Sequence, residues 1–174
     1  MKGKTLLILL IFFLISGCGL FESEDKSITQ EFLFEIQYVN FAWGFSHSGT
    51  YIDNKGNVYN FKFDSSKQFI SHKKEWYTES ELKGKYSINK KFVKRIDIDT
   101  IERKKELIKS AIQGSYSDTL DTGADMGKLT YSCYMIENNM YRKIILKAEG
   151  DMTYQIKTPG ADSLIIWLKT INSN

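Results

Sequence analysis

Cysteine, histidine and proline are all scarce in this chain, and each scarcity removes a class of explanation. Two cysteines in 174 residues, Cys18 and Cys133, allow at most one bridge, so the chain is not a disulfide-stapled scaffold. Two histidines, His47 and His72, each lack a second histidine or cysteine at ligand spacing, so no zinc site or other metal is expected, and no cofactor. The one proline, Pro159, excludes a proline-rich stalk, and the abundance of aromatic side chains argues against disorder. Neither sign of charge dominates: 24 Lys and Arg stand against 21 Asp and Glu, which gives no global electrostatic reason to prefer nucleic acid. Long apolar runs are missing too. Leu6 to Ile15 rises only about 15 Å as a helix, half the hydrocarbon thickness of about 30 Å.

That short run has a specific setting. Lys2 and Lys4 precede it and Ser16-Gly17-Cys18 closes it, which is the layout of a signal peptide: positive n-region, apolar h-region, small-residue cleavage site. Ile15-Ser16-Gly17-Cys18 resembles the lipobox of bacterial lipoproteins, an aliphatic and two small residues before cysteine. The resemblance covers the first eighteen residues. It implies cleavage after Gly17 and a diacylglycerol thioether on Cys18, with two or more acyl chains anchoring the product stably. The expected location is therefore a cell membrane or outer membrane, with the domain outside the cytoplasm. The region that follows resembles small bacterial lipoproteins of no named family.

The expected organisation is a signal peptide over residues 1–17, a lipidated N-terminus and tether over 18–30, and one domain over 31–174. In that domain Phe32, Phe34, Ile36 and Tyr38 alternate on one face, then Val39, Phe41, Trp43 and Phe45 on the other. The phase change predicts a bulge or bend near Tyr38 to Asn40. Thr50 to Asp53 and Val58 to Phe63 flank the turn Asn54-Lys55-Gly56-Asn57. Thr78 with Glu81 fits a capping box opening a short helix. Asp99 with Glu102 opens a second, with Gly114 as its stop. Leu129 to Ile136 and Met140 to Ala148 form a hairpin over Glu137-Asn138-Asn139, with Met152 to Lys157 as a third strand. A helix follows Pro159-Gly160, from about Ala161 to Ile171. The predicted class is α+β: an antiparallel sheet built from N-terminal and C-terminal hairpins, two central helices and a C-terminal helix.

Candidate chemistry is thin. Asp121-Thr122-Gly123 resembles the active-site motif of retroviral-type aspartic proteases, in which paired aspartates share a proton and activate water. Here a charged helix and a polar stretch precede it in place of apolar hairpins, and no aliphatic-aliphatic-glycine segment follows. Asp118, Asp121 and Asp125 lack the alternating ligands, central glycine and terminal glutamate of an EF-hand calcium loop. Ser46 and Ser48 flank His47, but neighbours on an extended chain point to opposite faces and make no triad alone. Lysines and arginines between Lys83 and Lys105 are interrupted by Asp97, Asp99 and Glu102 and read as solvated helical faces. With Cys18 lipidated, Cys133 is left as a small buried hydrophobe. No complete catalytic set assembles. The leading expectation is a lipid-anchored envelope protein, non-enzymatic, that binds another envelope protein or a small ligand. Phe41, Trp43, Phe45, His47 and Tyr51 are its candidate binding surface. The alternative is an envelope hydrolase with a site near His47 or Asp121.

Overall fold

The computed structural model describes residues 30–64 and 74–172. The leader, the lipobox with Cys18, most of the tether and His72 lie outside the described residues. Strands β1 (Phe32–Asn40), β2 (Ser46–Asp53) and β3 (Asn57–Phe63) form a meander. Next come β4 (Trp76–Tyr77), α1 (Glu79–Ser87), β5 (Lys91–Arg95) and α2 (Ile98–Ala111). The chain closes with β6 (Leu120–Asp121), β7 (Lys128–Glu137), β8 (Met140–Gly150), β9 (Met152–Gln155) and α3 (Pro159–Asn172). Among the described residues these strands make one antiparallel sheet in the order β5-β3-β2-β1-β7-β8-β9-β6, with β4 also pairing β8. The α+β class holds.

The sheet is covered on both faces, and adjacent residues show it. Cys133 and Ile52 belong to one buried cluster, whereas their neighbours Tyr134 and Tyr51 belong to another. Successive side chains of a strand point to opposite faces, so the two clusters lie on opposite sides of the sheet. One is aliphatic and packs beneath α2 and α3 through Ile101, Ile108, Leu164 and Leu168. The other is aromatic and packs beneath α1 through Leu82 and Tyr86. Double coverage means that the polar alternates of the central strands are buried as well.

Local chemistry explains most boundaries. Thr78 accepts from the Glu81 amide at 3.2 Å, and the Glu81 carboxylate accepts from the Thr78 amide at 2.8 Å, which is the expected capping box. The N-cap of α2 is Asp97, two residues before the expected Asp99; its carboxylate accepts from Thr100 N at 3.0 Å. This helix also stops before Gly114, at Ile112. Pro159 is the first residue of α3, where its missing N–H costs nothing, and Thr158 Oγ1 caps Ala161 N at 3.0 Å. Asn138 and Asn139, at φ 50° and 59°, make the tight β7–β8 turn that asparagine tolerates. The expected bend at Tyr38 to Asn40 is absent: β1 keeps an unbroken register with β2 from Phe34 to Asn40, its irregularity lying instead between Phe32 and Phe34, and the chain reverses over residues 41–45. The phase change there reflects a hairpin turn. Residues 91–95, unassigned from sequence, add β5 at the edge beside β3.

Gly49 shows how tightly β2 is held. A Cβ there would sit 2.7 Å from the ring of Phe61 and 2.3 Å from Ile36 O, so only glycine fits.

Because α1 carries Lys85 into the core, its start matters. Thr78→Ala is expected to lower the unfolding free energy by about 1 kcal/mol, read as a reduced urea midpoint at unchanged slope.

Candidate functional site

Glu35 and Gln37 occupy alternate positions on the α1-facing side of β1, and both are buried. The Glu35 carboxylate accepts from Lys85 Nζ of α1, from Lys143 Nζ of β8 at 2.7 Å and from the Tyr134 hydroxyl of β7 at 2.8 Å. Tyr134 and Tyr86 share a hydroxyl hydrogen bond of 2.8 Å. Lys143 donates a second time, to Gln37 Oε1 at 2.6 Å, and Gln37 Nε2 meets His47 Nε2. Rings close around the Lys85 ammonium: the centroids of Phe61, Tyr77 and Tyr86 lie 5.2–5.6 Å away, within cation–π range. Three strands and one helix thus meet at one carboxylate.

This cluster holds two ammonium groups for one carboxylate. Burial alone would raise the Glu35 pKa, but Lys143 and then Lys85 bring it down to about 2. The Lys85 pKa is lowered as well, to about 8, which disfavours its charged form, because burial and the like charge of Lys143 together outweigh the attraction of Glu35. A buried charge is tolerated only when paired and hydrogen-bonded. Here the carboxylate is fully satisfied and one positive charge is left in excess.

The excess faces a cleft. A cavity of about 570 Å³ is lined by Lys74, Glu75, Tyr116, Thr119, Lys128, Lys143, Ile145 and Tyr154, so it lies along β8 between β4 and β9. A recess of about 20 Å³ bordered by Gln37, Thr130, Lys128, Lys143 and Ile145 holds about one water-sized group. Lys128 Nζ donates to Tyr154 OH at 3.1 Å and lies 5.2 Å from that ring's centroid. Tyr116 meets Tyr154 edge-on at 5.5 Å and donates to Ile145 O at 3.0 Å. The Tyr116 pKa is raised by burial and then by Tyr154. Lys74 pairs with Glu81. The chemistry on offer is fixed positive charge beside two phenol rings.

The residues singled out from sequence fall elsewhere. Phe41 and Trp43 are exposed (47% and 84%) on the β1–β2 turn, with Phe45 half-buried and stacked on Phe41 at 5.5 Å. His47 and Tyr51 do not belong to that surface. They lie on the inward face of β2 and are fully packed, His47 against Phe63 at 4.3 Å and Tyr51 against Tyr86 at 4.1 Å. Asp121 sits on the exposed edge strand β6, where its carboxylate accepts from Gly123 N at 3.3 Å and Thr122 bonds Gly150 O. Five strand spacings, roughly 24 Å, separate His47 on β2 from Asp121 on β6, so the two do not share a site. Among the described residues no group of three or more His, Cys, Asp or Glu is placed to hold a metal. Cys133 is buried, and burial pushes its thiol up to about 12, in keeping with a small core residue. The basic run also disperses: Lys85 is buried, Lys83 pairs with Glu79 and Glu31, and Lys90 lies 3.9 Å over the Tyr59 ring.

Sequence reasoning missed Glu35, Gln37, Lys85 and Lys143. The available signal was apolar or aromatic residues at both parities of the partner strands, such as Cys133 beside Tyr134, which marks burial on both faces. Comparison of the chain with known protein families, curated proteins and solved structures finds no match.

Two predictions follow from the charge balance. Glu35→Gln strands two buried ammonium groups and should cost about 3–5 kcal/mol; Lys143→Met leaves a neutral Glu35–Lys85 pair and should cost less, both read by urea denaturation. Folded Lys85 binds its proton less tightly than an exposed lysine, at about 8 against about 10.4. Between these values the unfolded chain holds more protons, so the Lys85 contribution to stability rises with pH. The urea midpoint should increase between about pH 8 and about pH 10.4, and Lys85→Met should flatten that slope.

Proposed function

We propose that this chain is a lipid-anchored protein of the bacterial cell envelope whose one domain is a non-enzymatic binding module, with the cleft beside β8 as its binding site. The observation that carries the binding reading is the cleft floor: a buried lysine, Lys143, locked by Glu35 and Gln37 at 2.7 and 2.6 Å. Rigid, pre-paired groups around a concave space of this size suit holding a ligand. The anchoring reading rests on the leader and on Ile15-Ser16-Gly17-Cys18. Close behind it in the chain, the Gln30 side chain donates to Tyr134 O at 2.6 Å and the Glu31 amide donates to Tyr141 OH at 2.9 Å. The dozen residues from Cys18 reach at most about 40 Å, so the domain is held near its membrane. Exposed Trp43 and Phe41 favour a second contact, with another envelope protein, at the end of β1 remote from the tether.

Mass spectrometry of the protein extracted from its native membrane tests the anchor. The expected form lacks residues 1–17 and carries acyl-glyceryl mass on Cys18, and Cys18→Ala should accumulate as the unprocessed chain. An intact Met1 on the wild-type protein, or a free thiol at position 18, overturns it.

A further inference from the structure

We propose that the cleft beside β8 takes a small organic carboxylate, its anionic head seated between Lys128 and Lys143 and its body against Tyr116, Tyr154 and Ile145. This rests on the reading of the cleft as a binding site and adds the class of ligand.

Donor counting supports the head group. An ammonium has three N–H donors. Lys143 uses two, on Glu35 and Gln37, and is itself buried, so its third donor has only the cleft it lines. Lys128 uses one, on Tyr154 OH. Both lysines border the one-water recess as well as the main cavity, so they present their spare donors to a common space. One carboxylate, with two oxygens and several lone pairs, matches that set.

Charge supports a monoanion. Around the cleft and the cluster at its floor, Lys74, Lys85, Lys128 and Lys143 stand against Glu35, Glu75 and Glu81. One anionic group balances the inventory. It does so beside a buried ammonium whose burial is costly, so a bound anion adds a favourable partner there. Shape supports an organic body: the cavity lies within the roughly 300–1,000 Å³ of small-molecule sites, and two phenol rings with an isoleucine line it.

Isothermal titration of the full-length lipoprotein in neutral detergent with benzoate, phenylphosphonate, benzamide and benzylamine tests this. Benzoate should bind; benzamide and benzylamine should be at least tenfold weaker. Lys128→Met should weaken benzoate at least tenfold and Lys128→Arg should retain it, while added salt lowers the affinity. Lys128 lies outside the Glu35 ion cluster, so its variants keep the test independent of whether Lys143→Met folds. Phenylphosphonate binding in preference to benzoate overturns the carboxylate assignment. Benzamide or benzylamine binding as tightly as benzoate, with loss on Tyr154→Ala, overturns the anion inference and leaves the binding module standing. Silence from every probe overturns both.

Discussion

The rest of this fold is arranged around a carboxylate that cannot reach water. Glu35, at the centre of the central strand, is neutralised by lysines from α1 and β8 and bonded by a tyrosine from β7. Those three partners fix the helix, the strand order and the register at one point. An uncompensated charge at such a depth costs several kcal/mol, so misplacing any partner is penalised sharply. The arrangement specifies one structure more than it adds stability: a hydrophobic replacement of the whole cluster would pack a core too, but without dictating where α1 sits.

Around the ions the sheet face is aromatic where the opposite face is aliphatic. The division follows from charge. Phe61, Tyr77 and Tyr86 present ring faces to Lys85, and phenol hydroxyls extend the hydrogen-bond chain to Tyr134 and Tyr86. Aliphatic side chains offer neither a quadrupole nor a donor. The α2–α3 side, with no fully buried ion at its centre, is filled mainly by isoleucine and leucine, with Phe34 and Tyr131 among them. Tyrosine is thus placed where one side chain must be both core and solvent.

Local signals in the sequence were strong where the chemistry was local. The Thr78 capping box, the Asn54 to Asn57 turn, the Asn138-Asn139 turn and the C-terminal helix all depend on residues within a few positions of each other, and they stand in the structure as read. Asp99 misplaced the start of α2 because Asp97 offers the same side chain two residues earlier. The ion cluster is a different case. Glu35, Lys85 and Lys143 are 50 and 58 positions apart, and the alternation along β1 marks only the opposite face, that of Phe34 and Ile36. Period-2 alternation tells which residues share a face and leaves open whether a second layer covers it. His47 and Tyr51 were placed with Trp43 on one surface, but the reversal at residues 41–45 turns them inward. Short β4 and β6, two residues each, have no periodicity to detect.

The outermost strand β5 reads Lys91-Phe92-Val93-Lys94-Arg95 and is almost wholly exposed. A sheet of this breadth that ended in a neutral, extended border would invite copies of itself to zip on. Ammonium and guanidinium groups along that border make like approach like only against repulsion. Lateral polymerisation is thereby discouraged by the sequence of a single peripheral strand.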